Sequence, residues 1–143
     1  VPDVKLHLVG SNPNKMIDSQ RNEFVEVHGN VPDISDYYKK AKIFLHPHNA
    51  ATGIQNKLLE ALSSGLAAVT TKTGIQGIDG THGEHFFLSQ SNEDMIKYTI
   101  ELLKNDQVYK KISRNARQLM LDTHTWDVVN NQIDAVMEEI FDE

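Results

Sequence analysis

The 143-residue chain contains no cysteine. This excludes a disulfide framework, a thiolate metal site and a cysteine nucleophile. It has no apolar run approaching the length needed to span a bilayer. An excess of basic charge is also missing. The formal net charge is −6, which argues against a nucleic-acid backbone as the main partner. It leaves a phosphate ligand open, because a helix N-terminus binds anions through local dipoles whatever the global charge. No internal repeat, low-complexity segment or linker is visible. No signal peptide is seen, and the start Val1-Pro2-Asp3 carries no initiator methionine; the chain is therefore expected to be a piece of a longer protein. A hydrophobic fraction of 39% and a charged fraction of 24% fit a globular protein, and the length fits one domain, residues 1–143.

Short apolar segments alternate with helical patterns. Strands are expected at Val4–Gly10, Phe24–His28, Ile43–His46, Leu66–Thr71 and, as a short fifth, Glu84–Leu88. A short helix is expected through Met16 and Ile17. Another, capped by Asp33 or Ser35, is expected to contain Ile34, Tyr37, Tyr38 and Ala41. A longer helix is expected from Ile54 to Ser64. In the last third, three stripes of helical period are expected to pack against the sheet. They are Met95, Ile96, Ile100 and Leu103; Val108, Ile112, Ala116, Leu119 and Met120; and Val129, Ile133, Val136, Met137 and Ile140. Ser91 with Asp94 makes a weak capping box for the first of them. Strands alternating with helices imply an α/β fold, a Rossmann-like open parallel sheet covered on both faces.

The chemistry concentrates at Thr52-Gly53-Ile54-Gln55-Asn56-Lys57-Leu58-Leu59-Glu60. A turn glycine opening a helix lets a ligand approach the backbone. The unpaired N–H groups of the first turn, at the positive end of the helix dipole, then favour an anion such as phosphate. Glu60 lies too deep to cap the helix start, and a carboxylate there can accept hydrogen bonds from a diol such as ribose. The plainer reading of Glu60 is a solvated face with a Lys57–Glu60 ion pair worth only tenths of a kcal/mol. Lys57 is equally open between a phosphate contact and that pair. His46 and His48 flank Pro47 but show no zinc-type spacing with Asn49 or His28, so no metal site is expected. His7, His82, His85 and His124 have no paired context and read as structural or exposed, and Trp126 reads as a packing anchor.

The ordered series of Val9-Gly10, Gly29-Asn30-Val31, Pro47-His48, Glu60-Ala61-Leu62-Ser63-Ser64-Gly65, Ala68-Val69-Thr70-Thr71 and Thr73-Gly74-Ile75-Gln76-Gly77-Ile78 resembles the C-terminal, donor-binding half of GT-B glycosyltransferases, specifically glycosyltransferase family 4. The Gly-Ile-Gln-Asn-Lys form at residues 53–57 is similar to a subgroup of polysaccharide-building sugar transferases. The resemblance implies a nucleotide-diphosphate sugar as donor and a saccharide or lipid-linked acceptor held by a separate N-terminal half. Residues 53–57 would then serve the diphosphate, with Glu60 on the ribose. The backbone at Gly29 and Val31 would line the nucleobase pocket, and His48 would stand at the cleft in place of the family's serine. Thr52 falls where the family carries the first of two glutamates, so it brings a hydroxyl and no charge to the donor sugar. The family's first strand, with its basic residues, has no counterpart here. It is central to the sheet, so either its two neighbours are expected to close together or another chain to fill the gap. No residue of this chain is assigned a catalytic role, no cofactor or metal is implied, and the chain alone is expected to be inactive. A cytoplasmic location follows from the resemblance, at the membrane face only through the full-length protein. The alternative from another class is a non-catalytic α/β ligand- or protein-binding module. A receiver-like domain would need acidic residues at the strand ends, where Gly10, Gly29 and His46 stand. A sugar-nucleotide isomerase of GT-B type fits the motif order less well.

Overall fold

The structure is a computed structural model that describes residues 3–50 and 53–141. The chain divides into two compact units, Val1–Lys40 and Ala41–Glu143. The first holds β1 (Leu6–Gly10), α1 (Lys15–Asp18), β2 (Val25–Gly29) and α2 (Ser35–Lys40). Strands β1 and β2 pair in parallel, with Leu6 opposite Val25 and Gly10 opposite Gly29. Asn14 caps α1 by accepting from the Ile17 N–H at 2.9 Å. Asp33 accepts from the Ser35 N–H at 2.8 Å, ahead of α2. The helix begins after Ile34 and stops before Ala41, and it buries Tyr38.

The second unit carries β3 (Ile43–His46), α3 (Asn56–Ser63), β4 (Ala67–Thr71), β5 (Phe87–Ser89), α4 (Asn92–Lys104), α5 (Asp106–Thr123) and α6 (Trp126–Phe141). Its sheet has the order β3-β4-β5, all parallel. Ala67, Ala68, Val69 and Thr70 of β4 are fully buried. Alternation along the strand divides them between two cores. Ala68 joins Leu58 and Leu62 of α3, Ile78, Phe86, and Ala116 and Met120 of α5. Ala67 and Val69 join Phe87, Leu102 of α4 and Ile112 of α5. Helices therefore cover this sheet on both faces, as an α/β parallel architecture requires. Strands β1 and β2 form the ladder of the first unit, and β3, β4 and β5 that of the second.

Two helical faces differ from the pattern read in the sequence. In α4, Ile96 is 61% and Ile100 41% exposed, whereas Leu102 is fully buried with Met95 and Tyr98 packed beside it. The buried stripe is turned by about one residue, roughly 100°. Tyr98 accounts for the turn, because its ring stacks on Phe87 of β5 at 4.6 Å with the planes 1° apart. Counting only aliphatic residues placed the face around Ile96. In α6 the stripe exists but nothing described covers it: Ile133, Val136, Met137 and Ile140 are all exposed, as is Trp126, which is therefore no packing anchor. The helix packs against α5, and only Val128 and Val129 near its start are half-buried. A period of 3.6 identifies an apolar face without identifying its partner. Ser91 caps α4 as expected, accepting from the Asp94 N–H at 3.1 Å, but Asp94 accepts from Gln90, one residue before the box position.

If Tyr98 and Leu102 set the α4 face, Leu102→Ala should destabilise the fold by about 2–5 kcal/mol. Ile96→Ala should stay within about 0.5 kcal/mol. Equilibrium urea unfolding separates the two, and equal losses would show that the helix face is misassigned.

Candidate functional site

The N-terminus of α3 opens onto a cleft of about 430 Å³ lined by His46, His48, Ile54, Gln55, Asn56 and Lys57. The helix starts at Asn56, two residues later than the sequence pattern suggests, with Gln55 as its cap residue. Leu58 and Leu59 both donate to the Gln55 carbonyl, at 2.9 and 3.1 Å. The N–H groups of Asn56 and Lys57 precede these bonds and so stand at the positive end of the helix dipole. The Gln55 side chain does not cap the helix; its Nε2 donates back to the Gly53 carbonyl at 3.2 Å. Gly53 has φ +78°, a conformation that disfavours a side chain, and a Cβ built there meets nothing within 4 Å. The space in front of this backbone is open.

Beyond the first turn the apolar face of α3 anchors it. Leu58, Ala61 and Leu62 are fully buried, whereas Ile54, expected on the same side, is 46% exposed. Ile54 precedes the helix and lies across Gly77, where an added Cβ would stand 2.5 Å from its Cγ1. Lys57 and Glu60 lie on the exposed face. Glu60 sits one turn past Asn56, outside the cleft lining. The other end of α3 stops at Ser64-Gly65, where Gly65 takes φ +78° and Leu66 donates to the Ala61 carbonyl at 3.0 Å. From α5, Arg117 Nη1 donates to the Ser63 carbonyl at 2.6 Å and Ser113 Oγ donates to the Gly65 carbonyl.

His46 at the end of β3 is a cleft residue that the sequence reading weighed only as a metal ligand. It is 8% exposed, its Nδ1 lies 3.2 Å from Thr70 Oγ1, and its ring stacks on His48 at 5.1 Å with planes 6° apart. Burial holds its pKa below the ordinary 6.5, and the nearby charges of His48 and Lys57 act in the same direction. The ring is thus a neutral hydrogen-bonding group at neutral pH. Gly74 makes room for it: a Cβ there would stand 2.6 Å from both His46 Nδ1 and Thr70 Oγ1. Thr71 Oγ1 donates to the His48 carbonyl and accepts from the Gly74 N–H at 3.0 Å, which fixes the loop after β4. The signal for His46 was in the sequence, as a polar residue closing an apolar strand ahead of a proline.

Gly29 and Val31 belong to the first unit. Gly29 ends β2 and Val31 is half-buried. Between them Asn30 has φ +52° and donates its N–H to the Gly10 carbonyl at 3.2 Å, while its Oδ1 accepts from the Asn12 N–H at 3.3 Å. The loops after β1 and β2 are thereby tied together at the C-terminal strand ends, where parallel folds place ligands. Thr52 lies outside the described residues.

A family model described as "Glycosyl transferases group 1" matches residues 1–105. The chain belongs to this family. It is similar to Anabaena HepE solved in complex with UDP, with a TM-score of 0.85 and 20% identity over 97% of this chain and 42% of that one. HepE has also been solved in complex with UDP-glucose. Sucrose-phosphate synthase from Thermosynechococcus elongatus matches with a TM-score of 0.79 and 17% identity, over 99% of this chain and 39% of that one. These likenesses show the fold, that of the C-terminal GT-B domain of group 1 glycosyltransferases. An uncharacterized 44.6 kDa protein in the cps region of Klebsiella pneumoniae is 25% identical over 124 residues, 80% of this chain. The group 1 chain described here spans 32% of that protein and about two-fifths of the solved ones. No helix among the described residues is long and apolar enough to cross a membrane.

The buried His46 generates a prediction with a definite sign. In the unfolded chain its imidazole takes a proton near pH 6.5, whereas the folded ring resists protonation to lower pH. The unfolded state binds more protons in that window, so stability is full above it and falls as pH drops through it. In urea titrations from pH 7.5 downward, the wild type should lose more stability below about pH 6.5 than His46→Gln, which keeps a polar partner for Thr70. Parallel curves would remove His46 from the pH response.

Proposed function

We propose that this chain is the donor-binding domain of a retaining glycosyltransferase. In this reading it holds a nucleotide-diphosphate sugar and presents the sugar to a saccharide or lipid-linked acceptor, which the N-terminal half of the full-length protein binds. The observation that carries the proposal is the uncapped, open N-terminus of α3, facing the cleft with Gly53 in front of it. The diphosphate accepts hydrogen bonds from backbone N–H groups of the 53–57 segment, with Asn56 and Lys57 offering the dipole-aligned pair. The Lys57 ammonium adds positive charge beside them. His46, kept neutral by its burial, and His48 beside it offer hydrogen bonds to the ligand. Glu60, one turn along, accepts from the ribose hydroxyls, and the Gly29–Val31 backbone lines the base pocket. Thr52 brings a neutral hydroxyl to the donor sugar.

The chemistry assigned to this domain is electrostatic. As the bond from sugar to diphosphate breaks, negative charge grows on the leaving oxygen. Fixed N–H dipoles aimed at that position stabilise the transition state more than the bound donor. The rest of the machinery belongs to the acceptor half. The UDP and UDP-glucose named with HepE make uridine the first base to test. The 53–57 motif and the cps-region relative favour polysaccharide biosynthesis as the setting, with the full-length enzyme in the cytoplasm or at the inner membrane face.

The test uses the full-length enzyme, with UDP and GDP titrated by calorimetry and donor turnover measured beside them. Gly53→Val should obstruct phosphate approach and lower turnover by about 10²-fold, more than it lowers nucleotide affinity. Gln55→Ala removes only a local side-chain bond and should change turnover by less than about threefold, well under 1 kcal/mol of barrier. If Gln55→Ala is as damaging as Gly53→Val while both fold, the backbone cradle is wrong. Glu60→Gln should weaken nucleotide binding by about tenfold with little change in stability, as loss of a charge-assisted pair implies. Unchanged affinity there would remove Glu60 from the ribose.

A further inference from the structure

Among the described residues, His7, Glu26 and His28 of the β1–β2 ladder form a cluster whose ligand atoms all lie within 4.8 Å of one another. The parallel register explains why. Glu26 and His28 are two residues apart on β2 and so share a face, and His7 pairs with Glu26 across the ladder. Val27, between them, points the other way and is buried. His7, which in the sequence stands without a partner, thus has its Nδ1 3.0 Å from His28 Nε2. Glu26 Oε2 lies 3.5 Å from the first nitrogen and 3.4 Å from the second.

The 3.0 Å His7–His28 contact is within hydrogen-bond range, but the two carboxylate distances are too long for hydrogen-bonded carboxylate–imidazole pairs. A carboxylate hydrogen-bonded to an imidazole N–H sits at about 2.7–2.9 Å. Two ligand atoms about 2.0–2.1 Å from a tetrahedral zinc ion stand about 3.3–3.4 Å apart. The triangle of 3.0, 3.4 and 3.5 Å is close to one face of that tetrahedron. The supporting contacts suit the role. Lys5 Nζ holds the other carboxylate oxygen, Oε1, at 2.6 Å, which leaves Oε2 toward the imidazoles. Tyr37 of α2 packs on the His28 ring, with centroids 4.9 Å apart, and limits its rotation.

We propose that His7 Nδ1, His28 Nε2 and Glu26 Oε2 form a divalent transition-metal site of zinc type, with a fourth position open to water or another ligand. The nitrogen and carboxylate donors, without thiolate, suit zinc, cobalt or nickel over calcium or magnesium. The site lies on the β1–β2 ladder of the first unit. Its bound metal crosslinks β1 to β2, a pairing of two short strands that has little stability of its own.

The experiment titrates the purified chain, stripped with a chelator, with zinc by calorimetry and with cobalt by visible absorption. One zinc per chain should bind, and cobalt should give the intense d–d bands of four-coordinate geometry. His7→Ala and His28→Ala should each weaken zinc by more than the roughly 10–100-fold typical of removing a supporting, non-ligating group. Glu26→Gln should also weaken it. All three side chains are partly solvent-exposed, so the variants should fold, which circular dichroism checks. His48→Ala, which removes a member of the other histidine pair, should leave zinc affinity unchanged. Absence of saturable zinc binding, retention of tight binding in a His7→Ala/His28→Ala double variant, or loss only in His48→Ala would each overturn the assignment.

Discussion

Burial of β4 on both faces is the constraint on which the second unit depends. A strand with helices on both sides has no solvent face, so its residues must be apolar or fully bonded. Ala67 and Ala68 let α3, α4 and α5 approach closely, and Val69 fills one side. Thr70 is the polar exception, and His46 from the neighbouring strand satisfies it. That bond carries the strand's burial into the cleft. The partner Thr70 needs is the same ring that lines the wall beside α3, held in the neutral state by the same burial.

The cleft is therefore an outgrowth of core packing. Helix α3 is fixed by three buried side chains on one face and by α5 at its far end. The loop after β4 is pinned through Thr71 and Gly74. What remains for a ligand is backbone at the near end of α3, framed by two stacked imidazoles and a lysine. Side-chain identity matters least where the proposed phosphate contact is made, and most in the layer behind it.

Much of this was legible in the sequence, for reasons that differ by element. β3 and β4 are short apolar runs bounded by turn signals, and the burial of β4 follows directly. The α5 stripe of Ile112, Ala116 and Met120 is read correctly because aliphatic residues alone define it. The α4 face was misplaced because an aromatic residue, Tyr98, sets it through a ring stack that spacing does not encode. The α6 stripe was real, but periodicity carries no information about what lies opposite. The His7–Glu26–His28 cluster was invisible for a related reason. Its members lie on different strands, and only the β1–β2 register, which no local pattern states, brings His7 beside the other two. The start of α3 was placed early because Ile54 fits the helical period although it precedes the helix and lies across Gly77.

The two ends of α3 are held very differently. Its carboxyl end is fastened by Arg117, Ser113 and the turn at Gly65, while its amino end has a cap residue whose side chain faces backward. Local opening of this helix must therefore begin at the cleft, and its amide protons should exchange along a gradient, fastest at residues 56–59. An anion seated there acts as the missing cap. In the proposed donor-binding role, occupancy of the site would be coupled to the order of a single helical turn, giving the free domain a softer entrance than the occupied one.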